Sequence, residues 1–127
     1  MSEEDNRRIL EGLWGPGPTA LSAEAEYGLR AEDFVMEMPQ SGERVVGRDK
    51  MRAMQEAYPS PPAARVRRIV GSGDLFVVEM VSDYPGAGTY YVANIVEFKD
   101  GKITRETRYY GHPFEAAEWR ARWVERM

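Results

Sequence analysis

One histidine, no cysteine and 21 carboxylates spread over 127 residues narrow the chemistry open to this chain. His112 is the one side chain whose ordinary pKa of ~6.5 suits proton transfer at neutral pH, and it stands just before Pro113, at the end of an aromatic run. Glu79 and Asp83 stand four apart in Leu75–Tyr84; read as a strand, that run puts both on one face with Val81 between them. Arg108 is a permanent cation, able to orient and charge a ligand anion or enolate but unable to act as a base. If the Glu79 face is also the Arg108 face, two carboxylates and one guanidinium meet among Trp14, Met38, Tyr91 and Tyr110. A partly buried carboxylate with a raised pKa would then shuttle a proton while the arginine holds the ligand. Each residue also has a plainer role. Glu79 or Glu106 would neutralise Arg108 in a buried ion pair without chemistry, Asp83 would be a solvated turn residue beside Pro85-Gly86, and His112 would pack at a strand end. Trp14, Tyr27, Tyr91 and Tyr110 supply either an aromatic wall for a ring-shaped ligand or ordinary core.

Positioning these groups falls first to the stretch TYYVANIVEFKDGKITRETRYYGH, residues 89–112, which reads as one long β-hairpin. Asp100-Gly101 is a pair that a type I′ turn prefers, because both central positions need positive φ. A two-residue turn there sets Phe98 opposite Ile103, Ile95 opposite Glu106, Ala93 opposite Arg108 and Tyr91 opposite Tyr110. Alternation then gives one face to Tyr91, Ala93, Ile95, Glu106, Arg108 and Tyr110, and the other to Tyr90, Val92, Val96, Ile103 and Tyr109. A sheet that is apolar on both sides is usually covered by helices on one and by another sheet or a second subunit on the other.

The rest of the chain supplies those covers. Ser2 with Asp5 forms a capping box, and Ile9, Leu10, Leu13 and Trp14 recur at helical spacing up to Gly15. Gly15-Pro16-Gly17 is a turn and not a phosphate loop, since Pro16 and Pro18 lack the N–H donors such a loop needs. Leu21, Ala25, Gly28 and Leu29 mark a second helix with Tyr27 near its end, before residues 34–38 alternate as a short strand closed by Pro39. Val45-Val46 is an edge pairing, and Met51, Met54 and Tyr58 sit on one side of a third helix that ends at Pro59, the methionines reading as core filler. Residues 65–70 and 75–84 form two strands around the Gly71-Ser72-Gly73-Asp74 turn. A final helical segment carries Phe114, with Trp119 and Trp123 on one face.

Composition bounds the class. A chain of 127 residues fits a single domain spanning 1–127 with one core. A net charge of −4 without a basic stripe argues against nucleic acid and anionic membranes as partners. The start MSEEDNRR has no apolar segment of the kind a signal peptide needs, so the expected location is the cytoplasm. One histidine and no thiolate make a zinc site unexpected, and no metal or cofactor is expected.

The order of these elements, with FVMEMPQSGERVVGRDKM, GSGDLFVVEM and VEFKDGKITRETRYYGHPFEAAEWRARWVE, closely resembles the nuclear transport factor 2-like superfamily in its SnoaL-like polyketide-cyclase branch, over nearly the whole chain. The resemblance implies a cone-shaped sheet whose mouth holds a small, mostly apolar ligand and whose other face makes a homodimer. It also implies departures at the reacting positions. Where ketosteroid isomerases carry their general base, just before the proline that ends the first strand, this chain has Met38; their oxyanion-side aspartate falls on Tyr91. Where SnoaL-type cyclases and limonene-epoxide hydrolases carry an aspartate on the last strand, this chain has Arg108, while a further hydrolase aspartate matches Asp83.

These readings give an α+β fold, with helices on the concave face of a curved antiparallel sheet of four long strands and a short one. Residues Tyr90, Val92, Val96 and Tyr109 are expected to make a homodimer face. The functional expectation is a small-molecule pocket protein: a metal-free lyase, isomerase or hydrolase acting on an apolar or polyketide-like ligand, or a non-catalytic binding or structural module of the same fold. Catalysis would use Arg108, Asp83 and Glu79, and binding would use Trp14, Tyr27, Met38, Tyr91, Tyr110 and His112. The discriminating feature is whether Glu79 and Asp83 face the pocket.

Overall fold

The computed structural model describes residues 3–14, 18–20, 23–58 and 63–127. The Ser2 cap, the Gly15-Pro16-Gly17 turn, Leu21 and the stop at 59–62 lie outside the described residues. In chain order the elements are α1 (Glu3–Leu13), β1 (Pro18–Ala20), α2 (Ala23–Tyr27), β2 (Arg30–Met38), β3 (Glu43–Val46) and α3 (Arg48–Ala57). Four long strands follow, β4 (Ala63–Ser72), β5 (Leu75–Tyr84), β6 (Gly88–Lys99) and β7 (Lys102–Gly111), then a 3₁₀ segment at Glu118–Trp123.

The strands form one curved, unclosed sheet in the order β1-β4-β5-β6-β7-β2-β3. The α+β architecture is as expected, but the sheet has two more strands than the sequence suggested and is not wholly antiparallel. β1 arises from Pro18–Ala20, read as a turn, and β2 lies parallel to β7. The parallel pairing follows from the route: after β2 and β3 the chain crosses through α3 to β4 at the far side of the sheet, and the β4–β7 meander brings β7 back alongside β2 in the same direction.

Asp100 and Gly101 both adopt positive φ, 50° and 78°, as a type I′ turn requires. Lys99 pairs with Lys102 and Phe98 with Ile103, but Glu97 then pairs with Arg105, so Thr104 is an extra residue in β7. Its hydroxyl donates to the Glu97 carbonyl at 3.2 Å. This β-bulge moves every later pairing by one residue: Val96 faces Glu106, Asn94 faces Arg108 and Val92 faces Tyr110. The expected partnership of Arg108 with Ala93 is therefore corrected. Because a one-residue slip reverses faces, Glu106, Arg108 and Tyr110 share the inner face with Val92, Asn94 and Val96, and Tyr91, Ala93 and Tyr109 point outward. Val92 and Val96 are buried within the subunit, so the row expected to make a dimer face is not available as read.

On β5 the same alternation places Phe76, Val78, Met80, Ser82 and Tyr84 inward, opposite Val96, Asn94, Val92, Tyr90 and Gly88 of β6. The inner face forms the core with Phe34 and Met36 of β2, covered by Leu10 of α1, Trp14 just beyond it and Met51 of α3. α1 is also tied to the β4–β5 turn: the Asn6 side-chain amide donates to the Gly73 carbonyl at 3.0 Å and to Asp74 Oδ1 at 3.1 Å. Arg7 Nη1 donates to the Ile69 carbonyl at 2.9 Å. The tail differs from the helix expected. Its ordered turn is short, and Phe114, Trp119 and Trp123 stay exposed, with no packed surface to favour a longer helix.

Candidate functional site

A cavity of about 350 Å³ opens between α3 and the inner sheet face, a volume suited to a small molecule. Its walls are Met36 and Met38 of β2, Met51, Met54 and Gln55 of α3, and Tyr58, Tyr84 and Tyr110, with Arg108 at its inner side. Tyr84, Arg108 and Tyr110 also line a small chamber further in, shared with Trp14, Met80, Ser82 and Val92. The rings of Tyr58, Tyr84, Tyr90 and Tyr110 meet edge to face in sequence, with centroids 5.3 to 6.2 Å apart.

Beneath this cavity lies a buried ionic network. Glu106 is fully buried and accepts from two arginines at once: Arg108 Nε at 3.0 Å and Nη2 at 2.5 Å on one oxygen, Arg30 Nε at 3.1 Å and Nη2 at 2.9 Å on the other. Asn94 Nδ2 adds a bond of 2.8 Å. Arg30 Nη2 also donates to Glu26 at 2.6 Å, and Gln55 Nε2 donates to the same Glu26 oxygen at 3.2 Å. The Arg30 guanidinium lies 4.7 Å from the centre of the Phe34 ring. Two arginines and two glutamates thus cancel in charge. This balance permits four ionised groups in a site with almost no water contact.

The network sets the titration behaviour. Burial alone would raise the Glu106 pKa, but Arg108 and Arg30 outweigh it and bring it from an ordinary 4.5 to about 2. Burial also pulls the Arg108 pKa down, and the adjacent Glu106 more than reverses this. Burial first, and then neighbouring Tyr110, push the Tyr84 phenol well above its usual range against the opposing pull of Arg108. Tyr84 is therefore a neutral hydroxyl able to donate, and Arg108 a cation at any pH the fold survives.

The expected site residues divide by face. Arg108, Tyr110, Met38 and, in the inner chamber, Trp14 come together. Glu79 and Asp83 do not join them, because their parity on β5 is the outward one. Glu79 instead accepts from Arg68 at 2.7 Å and Arg67 at 3.5 Å, and Asp83 accepts from the Thr89 hydroxyl at 2.7 Å. Tyr91, displaced by the Thr104 bulge, is 52% exposed on the outer face. Tyr27 lies beside α3 with Arg48 and Arg52 over its ring at 4.5 and 4.0 Å, and its hydroxyl donates to Asp49. His112 is exposed and rests on the Tyr90 ring, centroids 3.9 Å apart. Sequence reasoning missed Tyr84, and it missed Arg30 as a partner of Glu106 and Glu26 as the second carboxylate on Arg30. The apolar row Phe76, Val78 and Met80 was the available signal for Tyr84, since it identifies the inward parity of β5. Met51, read as core filler, is buried in the core and also walls the cavity, whereas Met54, read the same way, is half-exposed cavity wall.

Glu56, 62% exposed and 4.0 Å from Arg52, is the one carboxylate among the described lining residues. Among the described residues no three His, Asp or Glu side chains gather as a metal-binding group, and no helix is long and apolar enough to cross a membrane. A wider, open concavity of about 600 Å³ lies on the outer face, bordered by Glu79, Tyr91, Tyr109 and the terminal Met127.

This architecture, a curved sheet with a helix-covered cavity on its inner face, is that of the nuclear transport factor 2-like proteins. The SnoaL-like domain matches residues 24–106, and the chain belongs to that family. It is similar to an NTF-2-like protein of unknown function from Burkholderia xenovorans, with 35% identity, a TM-score of 0.83, and coverage of 100% of this chain and 98% of the other. A Kribbella flavida protein provisionally described as a ketosteroid isomerase shares 26% identity at a TM-score of 0.83, with 98% and 91% of the chains covered. An LEH-like epoxide hydrolase of Mycobacterium tuberculosis, 17% identical with 85% and 84% covered at a TM-score of 0.69, shares the fold. No curated protein matches the sequence.

Proposed function

We infer that the protein binds a small, largely apolar molecule in the cavity beneath α3, with Arg108, Tyr84 and Tyr110 holding its polar end. The observation that carries this reading is the cavity's division into a methionine and tyrosine wall and a buried guanidinium whose countercharge is already in place. Binding is favoured over base catalysis because Glu79 and Asp83 face outward and Glu106 is saturated by arginine donors. A thermal-shift screen of apolar ring compounds tests it. Compounds that raise the melting temperature should lose this effect with Met54→Trp, which fills the half-exposed rim without touching the network. Hits unaffected by Met54→Trp, or no hits at all, would refute the cavity as the site.

A metal-free lyase, isomerase or hydrolase is the second reading, favoured by Glu56 on the cavity rim. Mass spectrometry of a hit after incubation with stoichiometric protein separates the two: an unchanged ligand supports binding, and a product lost in Glu56→Gln supports the enzyme. The partner we infer for the outer face is a second copy, through Tyr91 and Tyr109 with the tail tryptophans in place of the buried valine row.

A further inference from the structure

The second half of β4 is an open strand edge. Among the described residues β1 pairs with β4 only over residues 63–65, so over residues 66–72 β4 has β5 on one side and no strand on the other. The β4–β5 turn settles which groups face that free side. Ser72 and Leu75 flank its two residues and form the hydrogen-bonded pair, as do Val70 and Val77 two places on. The amides and carbonyls of Ile69 and Gly71 therefore point away from β5. Groups of this kind are a template for pairing with another chain, and the local sequence suits such pairing. Ile69 and Val70 are β-branched, Val70 is 45% exposed, and no proline interrupts the run.

Arg7 occupies this edge. From α1 its Nη1 donates to the Ile69 carbonyl at 2.9 Å and its Nη2 to the Gly71 carbonyl at 3.3 Å, the two outward carbonyls of the run. Its guanidinium lies 5.4 Å from the centre of the Phe76 ring, and Asn6 beside it ties α1 to the Gly73 carbonyl and to Asp74. The carbonyls that Arg7 holds are the acceptors a second strand would need. An antiparallel pairing of two β4 edges that uses them sets Ile69 of each copy opposite Gly71 of the other, with Val70 opposite Val70 between these hydrogen-bonded pairs. That register joins two β-branched side chains and lays the Arg67-Arg68 end of each strand beside the Asp74 turn of the other, so unlike charges meet. Arg7 and a second strand cannot hold the same carbonyls at once. We propose that the β4 edge is a latent interface for the same edge of a second copy, and that Arg7 is the contact that keeps it closed. This surface is separate from the outer face that carries Tyr91 and Tyr109.

The chain has no cysteine, so a single introduced one reports the register without background. In the proposed pairing the two Val70 positions lie about 4.5 Å apart at Cα, within reach of a disulfide. Val70→Cys, with and without Arg7→Ala, is followed on the full chain under mild oxidation by non-reducing electrophoresis. Arg7→Ala should speed formation of the disulfide dimer about tenfold or more, as expected when two hydrogen bonds from a charged donor no longer compete. Lys99→Cys, exposed beside the β6–β7 turn, should show no such gain from Arg7→Ala. The gain at Val70→Cys should persist when Tyr91→Glu and Tyr109→Glu are added. Urea unfolding checks that each variant folds, and Arg7→Gln, too short to bridge both carbonyls, serves if Arg7→Ala does not. Equal rates with and without Arg7 would overturn its role as the closing contact. An equal gain at Lys99→Cys would show unspecific association and overturn the β4 edge as the surface. A gain lost with the Tyr91 and Tyr109 replacements would assign the cross-link to the outer face and overturn the edge as well.

Discussion

Glu106 holds two guanidiniums at once, so its loss should disturb the protein more than loss of any other side chain in the network. Glu106→Gln leaves Arg30 with Glu26 but removes the countercharge of Arg108, and neither arginine can neutralise. A cost of about 3–5 kcal/mol is expected in urea unfolding, the range for breaking a buried ion pair. Arg108→Met should cost less, about 1–3 kcal/mol, because Glu106 keeps Arg30 and Asn94. Of the two glutamates the sequence offers as partners of Arg108, Glu106 is the one that binds it, while Glu79 pairs with exposed arginines, and Glu79→Ala should stay within about 1 kcal/mol. Equal losses for Glu79→Ala and Glu106→Gln would contradict this ranking. The same carboxylate gives a pH dependence. Its folded pKa of about 2 lies below the ordinary 4.5, so its stabilisation is complete above pH 4.5 and drains away as pH falls toward 2. The shift corresponds to about 3 kcal/mol. Urea midpoints measured at pH 6, 4 and 3 should fall in the wild type and fall less steeply in Glu106→Gln; parallel slopes would show that Glu106 is not the group responsible.

At the scale of elements, one residue decides which side chains meet. The Asp100-Gly101 turn was legible because its dipeptide has a backbone requirement, and the antiparallel run β4 to β7 was legible from alternation and turn chemistry, whereas β1 and the parallel pairing of β2 with β7 carry no such local signal. Thr104 carried no such signal: a threonine fits a regular strand as readily as a bulge, so the pairing seemed continuous from the turn outward. The error affected the site through parity. Arg108 and Tyr110 kept their inward place, but Tyr91 went outward, and Ala93 gave way to Asn94 as the neighbour of Arg108. Glu79 and Asp83 lie outward for a related reason: the more apolar row Phe76, Val78 and Met80 beside them takes the core side of β5. Deleting Thr104 removes the extra residue and leaves Glu97–Arg105, Val96–Glu106 and Asn94–Arg108 paired in a regular ladder, so Glu106 and Arg108 should stay inward and a cooperative urea transition should be kept. Thr104→Val, which removes only the hydroxyl bond to Glu97, should cost about 1 kcal/mol. A Thr104 deletion that loses the cooperative transition would contradict the pairing of Glu97 with Arg105 on which the inward placement of Glu106 and Arg108 rests. Gly71 is a second such point. At φ 146°, a Cβ there would lie 2.3 Å from the Leu75 carbonyl oxygen, whereas Gly86, at φ 79°, has nothing within 4 Å of that position. Gly71→Ala should cost more than about 2 kcal/mol by the same denaturation, and Gly86→Ala only about 1 kcal/mol.

At the scale of the whole molecule, the apolar surface is lopsided. The inner face is closed by α1, α3 and the core, while Tyr91 and Tyr109 are exposed on the outer face at 52% and 43%. The tail adds Trp119 and Trp123, exposed at 75% and 67%, and its last residue borders the same outer concavity as the two tyrosines. Aromatic groups gathered in this way are what the centre of a protein interface contains, and a two-fold axis would set the face against its own copy. A stable pair needs roughly 800 Å² buried per partner, more than two tyrosines supply, so the tail must join the contact. Light scattering at micromolar concentration should therefore give twice the chain mass of 14.5 kDa, with a melting temperature that rises with protein concentration. Replacing Tyr91 and Tyr109 together by glutamate should yield a monomer, as should replacing Trp119 and Trp123 by serine. Neither change reaches the inner cavity, so both variants should keep the wild-type response to any compound that stabilises the protein. A wild-type mass of 14.5 kDa at that concentration would remove the second copy as the partner of this face.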